Sequence, residues 1–416
     1  MVVALGACDE MLPKPRVDAR LGDGAPPPPE LVCPPSGVTK GPWTVRMTDA
    51  SVTVRWEACR FGADRTVLLQ REDGVGGQLT ARSVERAFEV TNTYRAAPYA
   101  SAPPDLAGIY YMHEVTLEGL AQGACYRYRL GAHAERDGGV SRPVGRFCTS
   151  RKPGAKVRFD AIGDTNPFLG DNTTKLLEQM AAEPVDFVVH LGDIQYYDST
   201  LETWAGWFVK MQPLLDRGAF LGAIGNHESE KPDEFDQYTL RFFHQGDKAN
   251  PGYFQFASGG IHFFTVNTDL STAPTSEQAR FLLDGLNRAK ATPGYRMSIV
   301  FFHRPFATCG DAGDDEGARA LFEPVFADAK VPLVLQGHMH GYERIVFDRI
   351  TYLTSAGGGG RMGNVDENTS RAYCKRRAAA GPWFHFTRFE IDDKAIHGRA
   401  IDTAGKVLDA FDIALP

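Results

Sequence analysis

The sequence predicts an all-β sandwich over residues 39–150, followed by a layered α/β domain over residues 157–416. Three observations carry this expectation. At 416 residues the chain is long for one hydrophobic core, so two domains are expected. From about Thr39 to Ser150 apolar residues alternate in short runs separated by turn residues. After "TSRKPGAK" the rhythm changes to buried strand patterns alternating with helical ones.

Composition bounds the function. The net charge is −7 and no basic cluster occurs, which argues against a nucleic-acid or polybasic membrane surface. No run of about 18 apolar residues exists, so no segment reads as a bilayer span. Seven cysteines are present and none forms a C-x-x-C, which argues against a zinc ribbon.

The first stretch, "MVVALGAC", is apolar and ends in Leu5-Gly6-Ala7-Cys8, which resembles the lipobox of bacterial lipoproteins. Residues 1–8 are therefore read as a truncated lipoprotein-type signal remnant with Cys8 as the lipidation site. Residues 9–38 are rich in proline and suit a semi-rigid tether. Membrane contact is expected only through that anchor. Setting Cys8 aside leaves six widely spaced cysteines, which suit an oxidising compartment. The expected location is extracytoplasmic, as a bacterial cell-envelope lipoprotein or a secreted protein.

In the β module, "SVTVRWEA", "RTVLLQRE", "HEVTLEGL" and "CYRYRLGA" read as strands. The stretch "HEVTLEGLAQGACYRYRLGA" resembles the end of a fibronectin type III-like module, with apolar Leu120 before a turn and a Tyr-rich strand after it. No reactive constellation appears here, so support or orientation is the expected role. Cys125 and Cys148 flank a hairpin whose turn falls near Asp137-Gly138-Gly139, and folding about Arg136–Asp137 sets them opposite each other. That pairing leaves Cys33–Cys59 nearby and Cys309–Cys374 further on.

In the second domain, "KVRFDAIGD" is a strand running into a loop, and Asp171 to Ala182 reads as a helix capped by Asp171 or Asn172. "VDFVVHLGD" and "GAFLGAIGNHE" are further strands, and "YFQFASGGIHFFTVNT" is a hairpin about Gly259-Gly260. "TSEQARFLLDGLNRAK" opens on a Thr275-x-x-Gln278 capping box and continues as an amphipathic helix. "RMSIVFFH", the helix "GARALFEPVFADA" and "VPLVLQGH" complete the alternation.

Ligands of such sheets gather beyond the carboxyl ends of strands. There the sequence delivers Asp164, then Asp193 with Tyr196, then Asn226 with His227, then His303, and last His338 with His340. On an extended strand His338 and His340 would face one point, with Gly337 and Gly341 on either side. Carboxylate, amide and imidazole together suit hard-to-borderline divalent or trivalent metal ions rather than thiophilic ones.

The blocks Gly163-Asp164, Gly192-Asp193-Ile194-Gln195-Tyr196, Gly225-Asn226-His227-Glu228, His303 and Gly337-His338-Met339-His340 occur in that order. They resemble the metallophosphoesterase superfamily and, within it, the purple acid phosphatases. The resemblance runs from about Val157 to Asp402, and the β module looks like that family's N-terminal domain. It implies a layered β-sheet sandwich flanked by helices and a binuclear metal centre. Asp164, Tyr196 and His340 would hold the first metal, Asn226, His303 and His338 the second, and Asp193 would bridge them. Tyr196 points to Fe(III) in the first site, because a phenol ionises at acidic pH only beside a strong Lewis acid. Zn(II), Fe(II) or Mn(II) would fill the second.

The implied activity is hydrolysis of phosphate monoesters by attack of a metal-bound hydroxide, on small-molecule substrates. Asn226 and His227 would contact the phosphate, and His227 would protonate the leaving group. Glu228 would support the ligands from behind. Asn166, where relatives lacking the tyrosine place a histidine, would be a supporting donor or an additional weak ligand. The same scaffold serves phosphodiesterases and alkaline phosphatases. A non-catalytic surface lipoprotein would be expected to have lost a ligand, and none is lost.

Three further stretches remain. The acidic run Asp311, Asp314, Asp315 and Glu316 reads as a solvated loop, pinned if Cys309 pairs with Cys374. "SAGGGGRMGN" reads as a flexible connection or as a source of phosphate-binding amides. His190 reads as a core or ligand-orienting residue, His262 and His385 as strand residues, and Trp204 and Trp207 as packing.

Overall fold

The computed structural model describes residues 33–34, 36–90, 108–131, 145–196, 201–228, 241–243, 245 and 252–415. Cys8, most of the Pro-rich stretch and the turn at Asp137-Gly138-Gly139 lie outside the described residues. The first part contains β1 (Val38–Val45), β2 (Val52–Ala58), β3 (Thr66–Arg71), β4 (Leu79–Arg82), β5 (Val84–Val90), β6 (Gly108–Leu117), β7 (Cys125–Leu130) and β8 (Gly145–Cys148). They form two four-stranded antiparallel sheets, ordered β1-β2-β6-β5 and β4-β3-β7-β8. Cys125 lies opposite Cys148 in the β7–β8 register, and the two are joined; Cys33–Cys59 and Cys309–Cys374 are joined as well.

The second part continues with β9 (Val157–Ile162), α1 (Asn172–Met180), β10 (Phe187–His190), α2 (Leu201–Leu215), β11 (Ala219–Gly222), β12 (Phe254–Ser258), β13 (Ile261–Thr265), α3 (Glu277–Lys290), β14 (Met297–Phe301), α4 (Glu316–Asp328) and β15 (Leu333–Gln336). After these the alternation stops. β16 (Tyr342–Phe347), β17 (Ile350–Ser355), β18 (Arg377–Gly381), β19 (His385–Ile391), β20 (Ala395–Asp402) and β21 (Val407–Ala414) follow with no α-helix between them.

Two sheets result, ordered β11-β10-β9-β19-β20-β21 and β12-β13-β14-β15-β17-β16-β18. Their facing sides interlock through phenylalanines. Phe159 stacks on Phe187 and Phe389 and meets Phe263 of the other sheet edge-on at 5.5 Å between centroids. Phe187 meets Phe256 edge-on at 5.2 Å. Such offset and edge-on pairs add to the burial of large apolar rings. The helices cover the outer faces, α1 and α2 on the first sheet, α3 and α4 on the second. The strands β9, β10 and β11 are mutually parallel, as are β13, β14, β15 and β17. Their carboxyl ends therefore share one edge of the sandwich.

Helix starts differ in detail from the sequence reading. Asp171 stands at the cap of α1 but its carboxylate makes no cap bond, and pairs instead with Lys175 one turn on, at 2.8 Å. In α3 the cap is Ser276, whose Oγ accepts from Ala279 N at 3.2 Å, and not Thr275. Gln278 turns inward, accepting from Asn267 N and donating to the Asn267 and Ser271 carbonyls. The loop needed those bonds more than the helix needed a box.

The β module docks through β1. Trp43 packs on Phe208 of α2 with centroids 4.7 Å apart and donates its indole N–H to Phe242 O. Arg241 forms a buried ion pair with Glu57 at 2.6 Å, which Lys40 shares. A second contact has a pH signature. Arg146 N of β8 donates to Asp216 O just beyond α2, while the Asp216 carboxyl accepts from Gln212 Nε2 at 2.8 Å. Burial pushes this carboxyl up to about 7, despite the Gln212 bond. The fold therefore favours its protonated form, and stability is lost as pH rises from the unfolded value of about 4 through about 7. Asp216→Asn is expected to stabilise the protein at pH 8 by at most about 4 kcal/mol and to change nothing near pH 4. Denaturant midpoints at the two pH values check this; equal shifts at both would acquit Asp216.

Candidate metal centre

Eight side chains named from the sequence converge at the shared strand edge. Asp164 follows β9, Asp193 and Tyr196 follow β10, and Asn226 and His227 sit in a short 3₁₀ turn after β11. His303 follows β14, and His338 and His340 follow β15. Asp164, Asp193, His303 and Glu228 are buried, and Tyr196 is 8% exposed.

The donor atoms fall into two groups. In the first, Tyr196 Oη lies 3.1 Å from Asp164 Oδ1 and 2.8 Å from His340 Nε2, with His340 Nε2 3.3 Å from Asp164 Oδ1. In the second, His303 Nε2 lies 3.1 Å from Asn226 Oδ1, 3.1 Å from His338 Nδ1 and 3.2 Å from Asp193 Oδ1. Ligand atoms of each set of three, Asp193–His303–His338 and Asp164–Asp193–His340, lie within 4.8 Å of one another, and Asp193 belongs to both. Ligands 2.0–2.2 Å from one ion stand about 3 Å apart when roughly at right angles. These separations match that requirement. The donor set of carboxylate, phenol, amide and imidazole fits borderline and hard ions.

Electrostatics agree. His303 is fully enclosed, and burial alone would strip its charge, yet Asp193 and Asp164 hold its pKa up at about 10. A field that keeps a proton on a buried imidazole is one that attracts cations. Burial, then Asp164 and Asp193, hold the Tyr196 phenol protonated well above its ordinary value. Only a strong cation beside it would release that proton.

The candidate ligands are aimed by partners behind them. His303 Nδ1 donates to Leu191 O at 2.8 Å and His340 Nδ1 to Arg361 O at 2.6 Å, so each leaves Nε2 toward the cluster. The Glu228 carboxylate accepts from the amides of Asp193, Ile194, Gln195 and Gly225, tying the Asp193 loop to the Asn226 turn. Burial followed by the Asp193 charge raises its pKa to about 7. Thr165 Oγ1 and Trp207 Nε1 both donate to Ile194 O, at 2.6 and 2.8 Å, and His190 Nε2 lies 3.1 Å from Thr165 Oγ1. Trp207 thus does more than fill space.

Backbone strain collects here. Asp164, Asp193 and His338 have φ of 59°, 47° and 68°, the left-handed region that costs about 1 kcal/mol or more per non-glycine residue. Gly192, before Asp193, has φ 85°, and a Cβ on it would stand 2.7 Å from His303 Nδ1. His338 corrects the picture of an extended H-x-H. The strand ends at Gln336, and the left-handed turn at His338 sends the two imidazoles to different groups.

His227 donates its backbone N–H to Asp193 Oδ1 at 3.1 Å, and its Nε2 lies 3.9 Å from Asp193 Oδ2. Its ring is 4.4 Å from that of Tyr196 and a quarter exposed, which places it at the mouth of the cluster. Asn166 Oδ1 accepts from Phe168 N and Leu169 N at 3.3 and 3.1 Å, so that oxygen shapes its own loop.

The glycine run is tied to the Gly163–Asp164 loop. Gly358 N and Gly360 N donate to the carbonyls of Gly163 and Asp164, and a Cβ on Gly360 would stand 2.9 Å from the His340 ring. The acidic run is pinned. Asp311 accepts from Asn364 N, Asp314 pairs with Arg371 and Tyr373, and Asp315 caps α4. One residue escaped the sequence reading: Arg304, directly after His303, lies 2.9 Å from His338 Nε2. Its position next to a ligand in "FFHRPF" was the available signal.

Residues 157–342 match the calcineurin-like phosphoesterase family. Purple acid phosphatase 1 of Ipomoea batatas is 26% identical over 286 residues, covering 64% of this chain and 56% of that protein. The Fe(3+)-Zn(2+) purple acid phosphatase 12 of Arabidopsis thaliana is 26% identical over 63% of this chain and 56% of its own length. The chain thus spans little more than half the length of these curated relatives. The structure of purple acid phosphatase PPD1 from yellow lupin (Lupinus luteus) seeds superposes with a TM-score of 0.70 at 18% identity, covering 90% of this chain and 74% of that one. That likeness establishes the fold.

Proposed function

We propose that the chain, whose residues 157–342 match the calcineurin-like phosphoesterase family and whose relatives include purple acid phosphatases, is a binuclear-metal phosphoric ester hydrolase acting on small phosphate monoesters. The observation that carries this reading is the pair of donor groups sharing Asp193. Asp164, Tyr196 and His340 would hold Fe(III). Asn226, His303 and His338 would hold Zn(II), Fe(II) or Mn(II), a pairing supported by the metals in the name of the Arabidopsis thaliana relative. Bound there, the two ions would supply Lewis acidity and a cationic centre for the phosphate.

The chain's own residues do the rest. Asp193 spans the two groups, and Glu228 accepts from three amides of its loop and from Gly225 N of the Asn226 turn. His227 stands at the mouth, where a leaving alkoxide needs a proton. Asn226 and His227 together present the polar edge that a phosphate would meet. The three disulfides support an extracytoplasmic place of action, and the Cys8 lipid anchor is part of the same proposal.

Tyr196 gives the test. Iron-loaded protein is expected to be purple to pink from phenolate-to-iron charge transfer, and Tyr196→Phe to lose the band while retaining iron. Colourless iron-loaded wild type would remove Tyr196 from the metal. Rates on matched mono- and diesters across acidic and alkaline pH then decide the ester class; faster diester turnover would move the enzyme to the phosphodiesterases.

A further inference from the structure

Arg304 is held at three points. Its backbone N donates to Thr268 Oγ1 at 2.9 Å, its Nε donates to Asp269 Oδ1 at 2.6 Å, and one terminal nitrogen lies 2.9 Å from His338 Nε2. The Arg304 side chain is 40% exposed and that of Asp269 16%, so the pair stands at the rim of the cluster. Asp269 is itself set by an Asx turn in which its backbone N donates to Asn267 Oδ1.

A guanidinium has five N–H donors and no acceptor. In this arrangement His338 Nε2 accepts from the guanidinium, while its Nδ1 lies 3.1 Å from His303 Nε2. A His338 that lends its Nδ1 lone pair to a cation carries its proton on Nε2 instead, and two donors then face each other. The terminal nitrogen of Arg304 must find another acceptor, while Asp269 keeps hold of Nε. The terminal N–H groups, beside His338 at the rim, are then available to an incoming oxyanion.

We propose that Arg304, tethered by Asp269, is a substrate-binding residue that grips a non-bridging oxygen of the phosphate group beside His338. This inference rests on the phosphate-ester reading of the site. A planar fork with one edge fixed is well suited to a tetrahedral oxyanion, and a lysine would supply only a point charge.

The test titrates inorganic phosphate into metal-loaded protein by calorimetry, which requires no turnover. Arg304→Ala is expected to raise the Kd about 10- to 100-fold with both metals retained by elemental analysis. Arg304→Lys should recover part of the loss. An unchanged Kd overturns the proposal. So does loss of a metal in Arg304→Ala, because Arg304 would then be a support for His338, and so does wild-type protein that binds no phosphate. Phosphate binding by a wild type that hydrolyses no ester would defeat the phosphatase reading and leave this one standing. Ester hydrolysis with an unchanged Kd in the variant would do the reverse.

Discussion

Asp193→Asn is expected to empty both metal positions and to lower turnover on phosphate esters at least about 10⁴-fold, toward background. The argument starts from geometry. Asp193 belongs to both donor groups, with Oδ1 3.2 Å from His303 Nε2. An amide keeps one oxygen but replaces the other with a nitrogen that only donates, so one position gains a donor where it needs a ligand. The negative charge is lost as well, and with it part of the field that draws cations to a buried site. Elemental analysis after gel filtration reads the metals, and circular dichroism confirms that the fold survives. Two ions retained, with turnover within tenfold of wild type, would remove Asp193 from the bridge.

His227→Ala is expected to separate binding from chemistry. Both metals stay, because no donor of either group is removed, while turnover falls about 10²–10⁴-fold, the range for loss of a general acid. The loss should be largest for alkyl phosphates, whose alkoxide leaves badly without a proton. It should shrink for aryl phosphates with acidic phenols. His227 also packs its ring against Tyr196, so a modest shift of the visible band is compatible with the role. Equal losses on both classes of ester would assign His227 to positioning alone.

The strand-end residues were legible because each ends a short apolar run in a distinctive dipeptide or tripeptide, Gly-Asp at 163–164 and 192–193 and Gly-Asn-His at 225–227. Parallel neighbours then guarantee a common edge, so order along the chain translated directly into proximity in space. The antiparallel half was less legible. "VLDAFDIA" alternates at an edge with little burial, and nothing helical punctuates β16 to β21. Local rules also misled where a tertiary partner outbid them. Thr275 lost the cap of α3 to Ser276 because Gln278 serves the Asn267 loop. Gly360 looked like slack, although its missing Cβ is the space occupied by the His340 ring. Arg304 had one cue, its place directly after His303, and the sequence does not show its contacts with Asp269 and His338.

Neither sheet carries a complete donor group. β9, β10 and β11 supply Asp164, Asp193, Tyr196 and Asn226, whereas β14 and β15 supply His303, His338 and His340. Cations bound there would act as rivets along an open seam between two plates. Rivet and seam are thermodynamically linked: any ion that binds the closed plates and not the separated ones stabilises the closed form by RT ln(1 + [L]/Kd). The converse follows from the same cycle. The phenylalanine contacts deep between the plates, Phe159 on Phe263 and Phe187 on Phe256, set the spacing that the ions meet. The affinity of this edge for metal would therefore be tuned by apolar packing outside the donor set.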